Sequence, residues 1–186
     1  MEQSNNMADG NGHGESRQER FKQGVRLLHQ GRAAEAEAIL QELYDENPND
    51  TEVALNLGGA YILQQRHEEA LPILERAAQD APHNENLWVN LAAAHLGPLE
   101  TSEEAQQERA IRAYEQALAA NPDAPNVHYM LGLVYRSRKD NMRAAAHFTR
   151  ALEQDPKDND ARRMLAAIAA DVVEQSKNQS GDGREG

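Results

Sequence analysis

The sequence predicts an all-α protein, a solenoid of antiparallel helix pairs, and three observations carry that prediction. Alanine and leucine supply most of an apolar fraction of 39% while aromatics make up only 4%, a mix that favours helices over strands. Prolines at Pro48, Pro82, Pro122 and Pro156 each close an Ala- or Leu-rich run, at intervals of 34, 40 and 34 residues. The phrase from Ala54 to Pro82, ALNLGGAYILQQRHEEALPILERAAQDAP, returns in outline from Asn126 to Pro156 as NVHYMLGLVYRSRKDNMRAAAHFTRALEQDP. Self-similarity at a period of about 34 residues marks an array of helix-turn-helix units, each stacking on the next because none buries its apolar face alone.

Each slot of the period has a packing role. Gly24, Gly58 and Gly132, with Ala92 in the same place, sit where the first helix of a pair approaches the second. Ala36, Ala70, Ala110 and Ala144 are their small counterparts on the second helix. A larger side chain at either point pushes the helices apart, so these residues answer a packing demand rather than a chemical one. Leu57, Leu91 and Leu131 precede the small slot, Tyr61 and Tyr135 follow it by three, and Leu40, Leu74, Tyr114 and Phe148 fill the large slot of the second helix.

In these slots the chain resembles the tetratricopeptide repeat family, with repeats at residues 17–50, 51–84, 85–124 and 125–158 and a covering helix at 159–176. The resemblance implies a tetratricopeptide-type α-α superhelix, right-handed, with a concave face lined by the first helix of each pair, and implies binding of protein segments there. Repeat 1 departs from the pattern with Arg20 and Gln23 in apolar slots, as suits a terminal repeat with one face in water. Repeat 3 holds the single tryptophan, Trp88, has His95 in the tyrosine slot, and carries six extra residues within LGPLETSEEAQQER. Thr101 with Glu104 has the spacing of a capping box, so the insertion is expected to lengthen the second helix at its start after a Gly-Pro turn. Residues 1–16 and 177–186 offer almost nothing to bury and are expected as disordered tails.

Charge and composition exclude several functions. With 19 basic against 31 acidic residues the formal charge is -12, which repels a phosphate backbone or an anionic membrane surface, so no nucleic acid partner is expected. The start MEQSNNMADGNGHGES has neither the basic beginning nor the apolar run of a secretory signal, and no apolar stretch is long enough to insert in a membrane, which makes the cytoplasm the expected location. Cysteine is absent, and with it disulfides, thiolate metal sites and cysteine nucleophiles. The seven histidines are scattered, with no two at metal-ligand spacing on one helix face. His95 in its tyrosine slot reads as a packed histidine. Paired acids such as Glu68-Glu69 and Glu103-Glu104 open second helices, where they complement the helix dipole. Gly58-Gly59 lies in a helix-packing slot and forms no phosphate loop. No catalytic residue, metal site or cofactor is therefore expected, and the chain reads as a non-enzymatic binding module, an adaptor, scaffold or chaperone-like protein.

The resemblance places the residue after the aromatic slot of each first helix on the concave surface, and that series runs Phe21, Leu55, Val89, Tyr129, Arg163. One turn on, Val25, Gly59, Ala93, Leu133 and Ala167 continue the lining, with Leu28 and Ile62 at the N-terminal end. An uncovered apolar stripe of this kind marks a binding surface, because apolar area left in water costs about 25 cal/mol per Å². Asn56 and Asn90 hold equivalent places before Leu57 and Leu91, where an amide can exchange paired hydrogen bonds with an extended peptide backbone. Relatives that grip acidic tails use basic clamps at groove positions; here those places hold Phe21, Val25, Asn56, Asn86 and Asn90, and only Asn56 fits. The expected partner is an apolar or amphipathic protein segment. An alternative reading is self-assembly into a homo-oligomer, with Ile168, Val172 and Val173 of the covering helix pairing with another copy.

Overall fold

Helix pairs follow one another along the chain because each apolar run is broken by a polar turn. The computed structural model describes residues 15–181. Among them the first helices of the four pairs are α1 (Arg17–His29), α3 (Thr51–Leu63), α5 (Glu85–Leu96) and α7 (Val127–Ser137). The second helices are α2 (Ala33–Glu46), α4 (His67–Asp80), α6 (Glu104–Ala120) and α8 (Asn141–Gln154), and α9 (Asn159–Gly181) covers the last pair. Side-chain oxygens close several helix starts. Ser16 and Glu19 form a capping box on α1, Asp50 accepts from the Glu52 and Val53 amides on α3, and Asn84 accepts from the Asn86 amide on α5.

The turn inside a pair uses one left-handed residue. Gly31, Gln65 and Lys139 have φ of 73°, 61° and 60°, and the next amide reaches back five residues in the Schellman pattern. Those bonds are Arg32 to the Leu27 carbonyl, Arg66 to Tyr61 and Asp140 to Tyr135, each 2.9 Å.

Every helix packs on its predecessor and its successor, and α3 also touches α1 and α5. Since α3 meets both α1 and α5, and among the described residues no two second helices make comparable contacts, the first helices of repeats 1 to 3 lie on the inner side of the curve. The small slots are as tight as the sequence demands. A Cβ built on Gly58 would lie 2.5 Å from Leu74 Cδ2 and 2.6 Å from its Cγ, and one on Gly132 would lie 2.6 Å from Phe148 Cε1. Ala36, Ala70, Ala110 and Ala144 are fully buried opposite them. Tyr61 donates to Gln41 Oε1 at 2.9 Å, tying repeat 2 to repeat 1. Where repeat 3 has histidine in that slot, His95 Nε2 stands 3.8 Å from Glu75 Oε1.

Two sequence expectations need correction. The capping box of α6 is made by Glu103 and Gln106, while Thr101 stays in the loop and donates to the Pro98 carbonyl at 3.2 Å. Gly97, with φ 57°, leads into the Pro98 turn, and the insertion both lengthens the loop before Glu104 and extends α6 to 17 residues against 14 in α2. The covering helix does not stop at 176 but runs to Gly181, because no proline or glycine interrupts it earlier. Of the expected tails, residues 1–14 and 182–186 lie outside the described residues.

The joint between repeats 3 and 4 is built differently. Asn121-Pro122-Asp123-Ala124-Pro125-Asn126 delays the start of α7, whose N-cap Asn126 is left-handed at φ 63°. Arg138 spans this joint from the repeat-4 turn, reaching Glu108 at 2.9 Å and Glu104 at 3.4 Å on α6. Arg66 does the same between repeats 2 and 1, bonding both oxygens of Glu37.

Candidate functional site

The residues expected on the inner face are more covered than a bare stripe would be. Phe21 and Val25 on α1, Leu55 on α3, Val89 on α5, and Tyr129 and Leu133 on α7 are all half-buried. Phe21, Leu55, Val89, Tyr129 and Leu133 press their inner edges on the core. Tyr129 also meets the Phe148 ring, with centroids 5.6 Å apart. Leu63, at the end of α3, is 59% exposed.

Asn56 and Asn90 differ in what they hold. Asn56 Nδ2 donates to the Glu52 carbonyl one turn back at 2.8 Å, whereas Asn90 Nδ2 reaches across to the Leu55 carbonyl of the preceding repeat at 3.3 Å. Gly59 makes that reach easy, since even a Cβ there would stand 3.6 Å from Asn90 Nδ2. Each amide keeps its oxygen and one N–H for another group. Arg163 is exposed on α9 and pairs with Asp160 one turn earlier, and its charge acts on the Tyr129 hydroxyl.

Sequence reasoning missed the acidic end of this face. Tyr129 sits in an open pocket of about 560 Å³ whose rim carries Asp123, Asp155, Asp158 and Asp160. These carboxylates come from the two inter-repeat turns and the start of α9. Asp158 caps α9 by accepting from the Asp160 and Ala161 amides, and Asp155 accepts from the Lys157 amide. Their local signal is that of turn residues, and only the stacking of repeat 4 on α9 collects them. Burial first, and then the Asp160 and Asp158 charges, push the Tyr129 hydroxyl above its ordinary pKa, with Arg163 opposing.

Two histidines placed far apart in sequence also meet. His128 Nδ1 on α7 is 3.1 Å from His147 Nδ1 on α8, and the His147 ring stacks on Tyr135 at 5.4 Å between centroids. Burial holds both imidazoles below their ordinary pKa, aided at His128 by Arg150 and at His147 by His128 itself. No single helix periodicity links residues on two helices, which is why the sequence did not show the pair. Among the described residues no group of three or more histidine, aspartate or glutamate side chains is arranged to hold a metal ion. No helix among them is long and apolar enough to cross a membrane.

Comparison with known proteins agrees with this architecture. Profiles of two families, each described as tetratricopeptide repeat, match residues 27–94 and residues 106–159 and 129–171. Anaphase-promoting complex subunit 3 of Schizosaccharomyces pombe is 28% identical over 130 residues, 70% of this chain and 19% of that protein. Protein O-mannosyl-transferase TMTC1 of Mus musculus is 26% identical over 142 residues, 76% of this chain and 15% of that protein. The chain thus spans less than a fifth of the length of either relative. Among solved structures, MamA from Desulfovibrio magneticus superimposes with a TM-score of 0.67 at 23% identity, covering 77% of this chain and 78% of that one.

Proposed function

The chain belongs to the tetratricopeptide repeat family, and from that premise we propose that its inner face holds a partner segment with an apolar side and a lysine or arginine at one end. The observation that carries this reading is the continuity of the lining: half-buried apolar side chains of α1, α3, α5 and α7 lead into a pocket where Tyr129 lies among four aspartates. Apolar contact supplies area, while a cation over the Tyr129 face gains from both the ring and the carboxylates. The oxygens and remaining N–H groups of Asn56 and Asn90 orient the backbone of the bound segment. In this reading the protein works as a scaffold or adaptor in the cytoplasm, as suits a chain whose relatives include a subunit of a named complex.

Replacing Leu55 and Tyr129 together with aspartate tests it, because each new carboxylate must be desolvated against an apolar ligand and hot-spot losses are about 2 kcal/mol or more. A photo-crosslinking residue at Leu63, beside the lining, should capture the same partner as the parent chain, and one at Met142 on α8, 80% exposed, should not. The double variant, with unchanged circular dichroism, should lose that partner. High salt should release it only in part, since exposed charges are screened over roughly 10 Å at about 0.1 M while apolar contact is not. Retention of the crosslink by the folded double variant would place the interaction elsewhere.

A second reading rests on α9, where Val173 is 53% exposed beyond the end of the packed repeats. There the helix pairs with another copy of the chain. A concentration-dependent increase in size that Val173→Asp removes supports it, and a concentration-independent size refutes it.

A further inference from the structure

Repeat 4 departs from its neighbours in the slot six residues after the proline that closes the preceding repeat. Trp88 holds that slot in repeat 3 and donates its indole N–H to the Pro82 carbonyl at 2.9 Å. Arg162 holds it at the start of α9 and donates to the Pro156 carbonyl at 2.6 Å. His128 stands in the same relation to Pro122, yet there the carbonyl accepts from Gln154 Nε2 at 3.3 Å. His128 turns instead to α8, where its Nδ1 meets His147 Nδ1 at 3.1 Å.

Two imidazole lone pairs this close repel unless a positive centre lies between them. In the free pair that centre is a proton, which one Nδ1 donates to the other. The same spacing suits a metal ion, because tetrahedral zinc with bonds of about 2.0–2.1 Å sets two nitrogen ligands about 3.3–3.4 Å apart. An in-plane swing of each ring aims both lone pairs at one point beside the line between the nitrogens, and for His147 such a swing keeps the stack on Tyr135. The displaced proton moves to Nε2 of its own ring. Both rings are half-buried, and neither Nε2 is among the buried unpartnered atoms of the described residues, so each has solvent to donate to. His128 opens to a cleft of about 480 Å³ that also carries Asp123, Arg150 and Glu153. The nearby cations are already paired: Arg150 with Glu153 at 2.8 Å, and Arg143, over the Tyr135 ring, with Asp140 at 3.2 Å. A formal charge of -12 draws cations to the chain as a whole.

We propose that His128 and His147 bind a divalent transition ion of the zinc class through their Nδ1 atoms, joining α7 to α8. Because the described residues present no group of three ligating side chains, water fills the remaining positions and the affinity is that of two imidazoles. Imidazole nitrogens select zinc, nickel or copper over magnesium and calcium, which demand oxygen.

Titration of the isotope-labelled full chain with zinc chloride, in a buffer that does not bind metal, reads the site through the ring nitrogens. Saturable shifts of the His128 and His147 Nδ1 signals are expected, with both Nε2 signals becoming those of N–H groups, while the His67 and His95 rings stay unchanged. His128→Gln and His147→Phe, each with unchanged circular dichroism, should weaken binding about tenfold or more, since even residues behind a metal ligand change affinity by that much. His147→Phe retains an aromatic ring beside Tyr135, which separates loss of a ligand from loss of packing. Magnesium chloride at the same concentrations should leave the rings unmoved. Identical zinc curves for the parent and the folded variants, shifts spread evenly over all the histidine rings, or an equal response to magnesium overturn the site. The ring spectra of the parent keep the test decisive where a variant does not fold.

Discussion

Alanine substituted at Gly58 and at Gly59 should change stability in opposite directions, although the two residues are adjacent in one helix. Both gain helix propensity, which favours alanine over glycine by about 1 kcal/mol. At Gly58 the new methyl carbon would sit 2.5 Å from Leu74 Cδ2, 2.6 Å from Cγ and 2.9 Å from Cδ1. Leu74 is fully buried, so its branch point cannot move aside without pushing α4 from α3. Overpacking of that kind costs about 1–3 kcal/mol, which exceeds the propensity gain. At Gly59 the nearest atom is Asn90 Nδ2 at 3.6 Å, an ordinary contact, so the gain of about 0.5–1 kcal/mol survives. The two variants should therefore differ by about 2 kcal/mol, or about 4–8 °C in Tm for a chain of this size. Thermal unfolding followed by circular dichroism reads the difference. In Gly58→Ala combined with Leu74→Ala, the double should be more stable than the sum of the single losses, because the cavity accepts the methyl. A Gly58→Ala protein that melts at or above the parent, or a Gly59→Ala protein that melts below it, refutes the assignment of Gly58 as the helix-crossing residue.

Other perturbations follow from the caps, the turns and the histidines. Asp50→Ala removes the acceptor for two amides at the start of α3 and should cost about 1 kcal/mol, measured as a lower urea midpoint with unchanged slope. Lys139→Gly relieves a side chain held at φ 60° and should raise Tm, the strain being about 1 kcal/mol; a lower Tm would show that the lysine makes a compensating contact. His128 and His147 have folded pKa values below the ordinary 6.5, so their contribution to stability is present above that pH and is lost as pH falls through the lower folded values. Arg150 and Glu153 act on His128 with opposite sign, and the Tyr135 ring covers His147. Unfolding free energy should thus drop between neutral and mildly acidic pH, and His147→Phe should flatten that drop; an unchanged slope would show that His95, shifted in the same direction, carries the effect.

What the sequence determined by itself was the repeat. Gly24, Gly58 and Gly132 against Leu40, Leu74 and Phe148 form a pattern that needs no coordinates, because the same helix crossing recurs and each copy must solve it with a small residue. The expectation of an apolar lining has the same source: Phe21, Leu55, Val89 and Tyr129 occupy one slot of the period. How far those side chains stay exposed was not legible, since each is half-buried once the helices pack. Asn90 reads as a twin of Asn56 in the sequence, yet it bonds across to Leu55 because Gly59 leaves room in the preceding repeat. The features that break the period were decided by tertiary structure alone. Asp155 and Asp158 accept from nearby amides, Asp123 lies in a turn and Asp160 opens α9, and only stacking of repeat 4 and α9 draws them around Tyr129. His128 and His147 meet across two helices, and the insertion closes a cavity over His67 and Ser102 from separate repeats. A periodic sequence encodes contacts that every repeat shares, whereas contacts made once depend on where the chain brings distant residues together.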